Sequence, residues 1–244
     1  MKKQNKGFTL VELLVVIGIL GILMGALFPA VSGAMLSAKT AACSADGRNI
    51  IMGIITANTD RENGGQGPLW PRTDKDEAAA DDDKVGQGGF SSTYDYFNAL
   101  FNMDTYGNEN WEPEVDKSLL SKLYGQGVPG PTSAKLEAKN VKWIIAANVE
   151  NVPGNMPILI SRNVVVGDLK TEDYDGKSTT PRIKLGQKNG ADWDDPFGAE
   201  AVVLVRKDGG AQSIKTRQCN PKVFYQQGFK LTNTGNPFQY LSSK

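Results

Sequence analysis

The chain has 244 residues, 40% of them hydrophobic and 22% charged, and its 27 basic and 27 acidic side chains leave no net charge. It contains no histidine, which removes His-based triads, His general bases and His metal ligands, and the neutral balance offers no clustered basic surface for nucleic acid. The two cysteines, Cys43 and Cys219, form no CxxC pair, so neither a zinc site nor a thioredoxin-like motif is supported.

The chain opens on a short basic stretch, Met1-Lys2-Lys3-Gln4-Asn5-Lys6-Gly7, followed by Phe8-Thr9-Leu10-Val11-Glu12. From Leu13 to Ala38 no residue is charged, and Leu13 to Val31 is almost wholly apolar. About twenty helical residues cross a hydrocarbon core of roughly 30 Å, so the length predicts a membrane span. The lysines precede the span, which keeps that end cytoplasmic and places the rest of the chain on the far side. A secretory signal peptide would have a shorter apolar region, and a plain anchor would not explain a carboxylate inside the apolar segment.

The order Gly7-Phe8-Thr9-Leu10-Val11-Glu12 resembles the prepilin signal of type IV pilins and type II secretion pseudopilins. The resemblance covers about residues 1–56. It implies cleavage between Gly7 and Phe8 by a prepilin peptidase and methylation of the new Phe8 amine. It further implies pairing of Glu12 with the amine of a neighbouring subunit, and an assembly platform protein and ATPase as partners. Glycine suits the cleavage position because it lets a peptidase approach its carbonyl closely. Glu12 lies one helical turn from Phe8, on the same face. Loss of Lys2, Lys3 and Lys6 with the leader removes three of the 27 basic side chains, leaving 24 against 27 acidic ones, a net charge of −3.

Pro29 is the expected break in the apolar helix, because it lacks an N–H and clashes with the preceding turn. Gly18, Gly21, Gly25 and Gly33 would let neighbouring helices approach closely. The helix is expected to continue as an amphipathic half over 32–57, with a stripe of Met35, Ala38, Ala42, Ala45, Ile51, Ile54 and Ile55. If the domain lies outside the cytoplasm, Cys43 and Cys219 can form a disulfide; two independent buried thiols are the plainer alternative.

Residues 58–90 read as a long exposed loop rich in Gly, Asp and Pro, with Trp70-Pro71 as an anchor and Gly86-Gln87-Gly88-Gly89 as a flexible stretch. Ser91 or Ser92 caps a short helix through Phe101, with Tyr94, Phe97, Leu100 and Phe101 on its apolar side. A second short helix is predicted over Val115–Tyr124. Strands are predicted over Val141–Val149, Pro157–Val166, Ala201–Arg206 and Gln212–Lys215, the last two joined by Lys207-Asp208-Gly209-Gly210 as a hairpin. Val223–Phe229 is expected to add an edge strand.

These elements predict an α+β fold in which a long N-terminal transmembrane and amphipathic helix packs on an antiparallel β-sheet. The expected organisation is a leader at 1–7, an apolar span at 8–31, an amphipathic half at 32–57 and a pilin-like periplasmic domain at 58–244. Asp168, Glu172, Asp173 and Asp175 are candidate calcium ligands, although their spacing does not match an EF-hand and solvated turns are the default. No P-loop, GxSxG or dinucleotide fingerprint is present, so no enzymatic role and no cofactor is expected. The expectation for function is a filament subunit anchored in the bacterial cytoplasmic membrane before assembly. It would be pseudopilin-like, with a surface pilin for adhesion, motility or DNA uptake, or a non-polymerising anchored binding protein, as the alternatives.

Overall fold

One long helix, two short ones and five strands follow one another along the chain. The computed structural model describes residues 9–80, 83–125, 136–169, 183–186, 196–225 and 238–242. Helix α1 runs from Leu10 to Asn63, α2 from Thr93 to Leu100 and α3 from Pro221 to Tyr225. Strands β1 (Trp143–Ala147), β2 (Pro157–Ser161), β3 (Ala201–Arg206), β4 (Ala211–Lys215) and β5 (Gln239–Tyr240) form one antiparallel sheet in the order β4-β3-β2-β1-β5. The chain divides into two units, Met1–Lys39 and Thr40–Lys244.

Within the second unit the buried face of α1 comprises Thr40, Cys43, Gly47, Ile50, Ile51, Ile54, Asn58 and Arg61. This corrects the expected stripe: Met35, Ala38, Ala42 and Ala45 are exposed, whereas Ile51 and Ile54 are buried as anticipated. The true face repeats at three- and four-residue steps but is built partly from Gly and polar residues, which an apolar pattern passes over. Gly47 explains one of them. A Cβ there would fall 2.6 Å from Cη2 of Trp143 on β1 and 2.6 Å from Cγ2 of Val205 on β3. Close approach of helix to sheet therefore requires glycine at this position.

Polar contacts fix the rest of that seam. Asp46 receives the Lys142 ammonium at 2.7 Å and the Lys122 ammonium at 3.4 Å, and Lys142 is almost fully buried. At the helix end, Arg61 donates Nε to the Gly67 carbonyl at 2.8 Å and pairs with Asp83 and with Glu114 at 3.0 Å. The helix thus extends six residues beyond the expected Ala57, and its last turn serves as a clamp for the following loop. That loop is less exposed than expected: Leu69, Trp70 and Val85 are buried, Asn58 Oδ1 accepts the Leu69 N–H at 2.6 Å, and Lys75 bridges to Gly88.

Ser92 caps α2, its hydroxyl oxygen accepting the Asp95 N–H at 3.2 Å. Phe97 is fully buried as expected, but the tyrosine buried with it is Tyr96 rather than the half-exposed Tyr94, and the Tyr96 hydroxyl donates to the Leu69 carbonyl at 2.9 Å. The predicted helix at Val115–Tyr124 is a 3-10 turn over Lys117–Lys122, capped by Asp116. β1, β2 and β3 are buried along their whole length, so both faces of the sheet are covered. The β3–β4 hairpin has the predicted turn, with Gly209 at φ +83°. Lys207 in that turn donates its ammonium to three carbonyls of the β1–β2 connection, Val149 and Glu150 at 2.8 Å and Val152 at 3.2 Å. The expected edge strand at Val223–Phe229 is replaced, as far as Tyr225, by α3; its remaining residues lie outside the described ones. Phe224 and Tyr225 are instead buried side by side, and the strand beside β1 is β5.

Candidate functional site

The segment that carries the functional expectation begins at the start of α1. Thr9 precedes the helix and Glu12 lies in its first turn. Glu12 Oε2 accepts the Thr9 N–H at 2.8 Å and the Thr9 hydroxyl at 2.7 Å, while Thr9 Oγ1 accepts the Glu12 N–H at 3.3 Å. This reciprocal arrangement is a capping box: it satisfies helix-start donors that have no intrahelical acceptor and leaves the carboxylate drawn back toward the N-terminus. The pattern Thr9-x-x-Glu12 was legible as a Thr-x-x-Glu signature, and reading Glu12 for its charge alone passes over the role of Thr9.

On either side of Glu12, the first part of α1, Leu10 to Val31, presents apolar side chains all round. Leu10, Val11, Leu13, Ile17, Ile22, Met24 and Phe28 are each more than half exposed. Around Gly18, Gly21, Gly25 and Gly33 a Cβ would meet nothing within 4 Å, so these positions are open to an approaching surface. The helix is long and apolar enough to cross a membrane. It continues unbroken through Pro29, where a break is expected. One lost hydrogen bond does not outweigh the helical runs on either side. Ser32 donates its hydroxyl to the Pro29 carbonyl at 2.9 Å.

Other predicted site residues are placed differently. Gly7 and Phe8 lie outside the described residues, as do Glu172, Asp173 and Asp175; Asp168 closes a 3-10 turn over Val166–Asp168. Among the described residues no group of three His, Cys, Asp or Glu side chains is placed to hold a metal ion. Cys43 and Cys219 are separate buried thiols with no bond between them. Burial pushes the Cys43 thiol up to about 12, with Lys142 opposing and Asp46 adding to the shift, and pushes the Cys219 thiol up to about 11. Both are therefore neutral and unreactive at ordinary pH. A polar cleft of about 450 Å³ lies beside the Arg61 clamp, lined among others by Arg72, Asp76, Asp83 and Glu114.

A chain with these parts is an α+β protein whose apolar first helix, long enough to cross a membrane, starts at a capped carboxylate. Residues 2–28 match the prokaryotic N-terminal methylation motif, the prepilin signal of type IV pilins and pseudopilins. The protein is therefore type IV pilin-like at its N-terminus, and the motif implies prepilin peptidase processing and assembly with other pilin-like subunits. The chain matches no curated protein and no solved structure.

Proposed function

We propose that this protein is a structural, pseudopilin-like subunit of a type IV filament or type II secretion pseudopilus, with no catalytic activity and no cofactor. Its leader is removed between Gly7 and Phe8, the Phe8 amine is methylated, and the subunit polymerises through α1 into a periplasmic filament. The observation that carries this reading is the Thr9–Glu12 box at the head of a stretch with no other charge before Lys39. A lone carboxylate in hydrocarbon is costly and calls for a cationic partner. Folding Glu12 back onto Thr9 holds it one turn from the new amine terminus, where a neighbour's amine can reach it. Packing like helices together replaces lipid contact with helix contact, so the apolar surface need not meet water on leaving the bilayer.

The test is the intact mass of the protein purified from its native membrane. A chain beginning at Phe8 and carrying one added methyl is expected; a chain beginning at Met1, or cut near Ala34, overturns the reading. Fibres reaching far outside the cell and carrying this chain would make it a surface pilin. The non-polymerising binding protein has its best support in the cleft beside Arg61. Arg61 of that cleft is already paired with both Asp83 and Glu114, so a ligand would have to displace these contacts. Normal function of Glu12→Ala would favour that reading.

A further inference from the structure

The second unit carries five sulfur atoms, and four of them are closed off. Cys43, Met103, Met156 and Cys219 are each at most 5% exposed, whereas Met52 is 43% exposed. The two thiols are also held neutral by burial, which makes them poor nucleophiles toward an oxidant. A thioether needs no deprotonation to react, so access decides which methionine is oxidised. Among the described residues, which include every sulfur of this unit, Met52 alone is open to a small oxidant in the surrounding water.

The Met52 side chain also holds a structural contact. A Cβ built on Gly209 would fall 2.9 Å from Met52 Sδ and 3.5 Å from its Cγ, so the thioether of α1 packs on the bare backbone of the β3–β4 turn. The donors of that turn are committed. The Asp208 N–H goes to the Gly154 carbonyl at 2.8 Å, the Gly209 N–H to the Arg206 carbonyl at 2.9 Å and the Gly210 N–H to Asp208 Oδ1 at 2.8 Å. The Lys207 ammonium is taken by three carbonyls. We propose that Met52 is a modification site for peroxide-class oxidants, and that its sulfoxide releases the β3–β4 turn from α1. A sulfur lone pair attacks one oxygen of hydrogen peroxide, and the O–O bond breaks as the S–O bond forms. The departing hydroxide takes the proton of the transferred hydroxyl and leaves as water. Sulfur loses two electrons and the peroxide gains them. The product sets a strong hydrogen-bond acceptor where an apolar contact stood. An acceptor held against a turn with no donor to offer is unfavourable, so the sulfoxide swings to water and leaves Gly209 uncovered.

The test uses the full chain in detergent, treated with hydrogen peroxide and followed by peptide mass spectrometry. Met52 is expected to gain one oxygen at least about tenfold faster than the buried Met103 and Met156. Amide hydrogen exchange over 207–210 is expected to rise about threefold or more in the oxidised protein, because the turn opens more often once Met52 no longer covers it. Treatment with methionine sulfoxide reductases for both epimers should restore the parent rate. Met52→Leu keeps the apolar contact and removes the sulfur. Peroxide should then leave exchange over 207–210 unchanged, although the exposed Met35 still gains oxygen. Met52→Gln, polar and unbranched, should give the faster exchange without peroxide. Oxidation of Met52 no faster than of Met103 and Met156 overturns the proposal. So does unchanged exchange once Met52 is oxidised, or an equal rise in Met52→Leu. None of these outcomes depends on leader cleavage or polymerisation, so a failure here leaves the filament reading standing.

Discussion

Gly47 and Arg61 show how much of the second unit hangs on single positions of one helix face. No side chain fits at Gly47 against Trp143 and Val205, so Gly47→Ala should lower stability by about 1–3 kcal/mol through overpacking, measured by denaturant unfolding of the full chain in detergent. Arg61→Met leaves Asp83 and Glu114 facing each other with their cation gone. Because Glu114 is about a third exposed, the loss should sit near the low end for broken buried pairs, about 3 kcal/mol in the same measurement. Cys43 makes a pH prediction. Its thiol is raised in the folded state from about 9 to about 12, so the protein favours the protonated form. The stabilisation is complete below about pH 9 and is lost as pH rises from there to about 12, because the unfolded chain releases that proton first. The melting temperature of Cys43→Ser should therefore fall less steeply over that range than that of the parent.

At the scale of elements, legibility followed periodicity and turn chemistry. The β3–β4 hairpin was readable because Asp208-Gly209 sits between two β-branched runs, and the structure has that glycine left-handed. Ser92 was readable as a cap, and Ser92→Ala should cost about 1 kcal/mol in thermal unfolding. The face of α1 was only half readable, because Thr40, Gly47, Asn58 and Arg61 are buried by specific hydrogen bonds or close contacts rather than by hydrophobicity. β5 was not readable. It is two residues long, and its place beside β1 depends on a distant pairing of Tyr240 with Ala146 that no local pattern announces. Val223–Phe229 failed for the opposite reason: Phe224 and Tyr225 have strand-like side chains, but Pro221 starts a helical turn there, with Asn220 Oδ1 accepting the Val223 N–H at 3.0 Å.

The whole molecule joins two kinds of stability. Among the described residues, those from Thr9 to Lys39 leave their apolar side chains largely exposed, while the unit from Thr40 onward holds a core of buried strands and aromatic side chains. The first unit is long and apolar enough to cross a membrane, and the second carries its own buried core. The motif at 2–28 was legible because order, spacing and charge coincide in a few residues. The domain's identity was not, since burial patterns define an architecture and not a cargo. The Lys207 ammonium, enclosed by the carbonyls of Val149, Glu150 and Val152, has a chemical consequence. An amine held as a triple donor should react with acylating reagents more slowly than the exposed Lys215, even though burial, opposed by Glu150, draws its pKa down and leaves more of it as the reactive free amine. Faster labelling of Lys207, measured against Lys215 in the same sample, is then the expected sign of these three hydrogen bonds breaking.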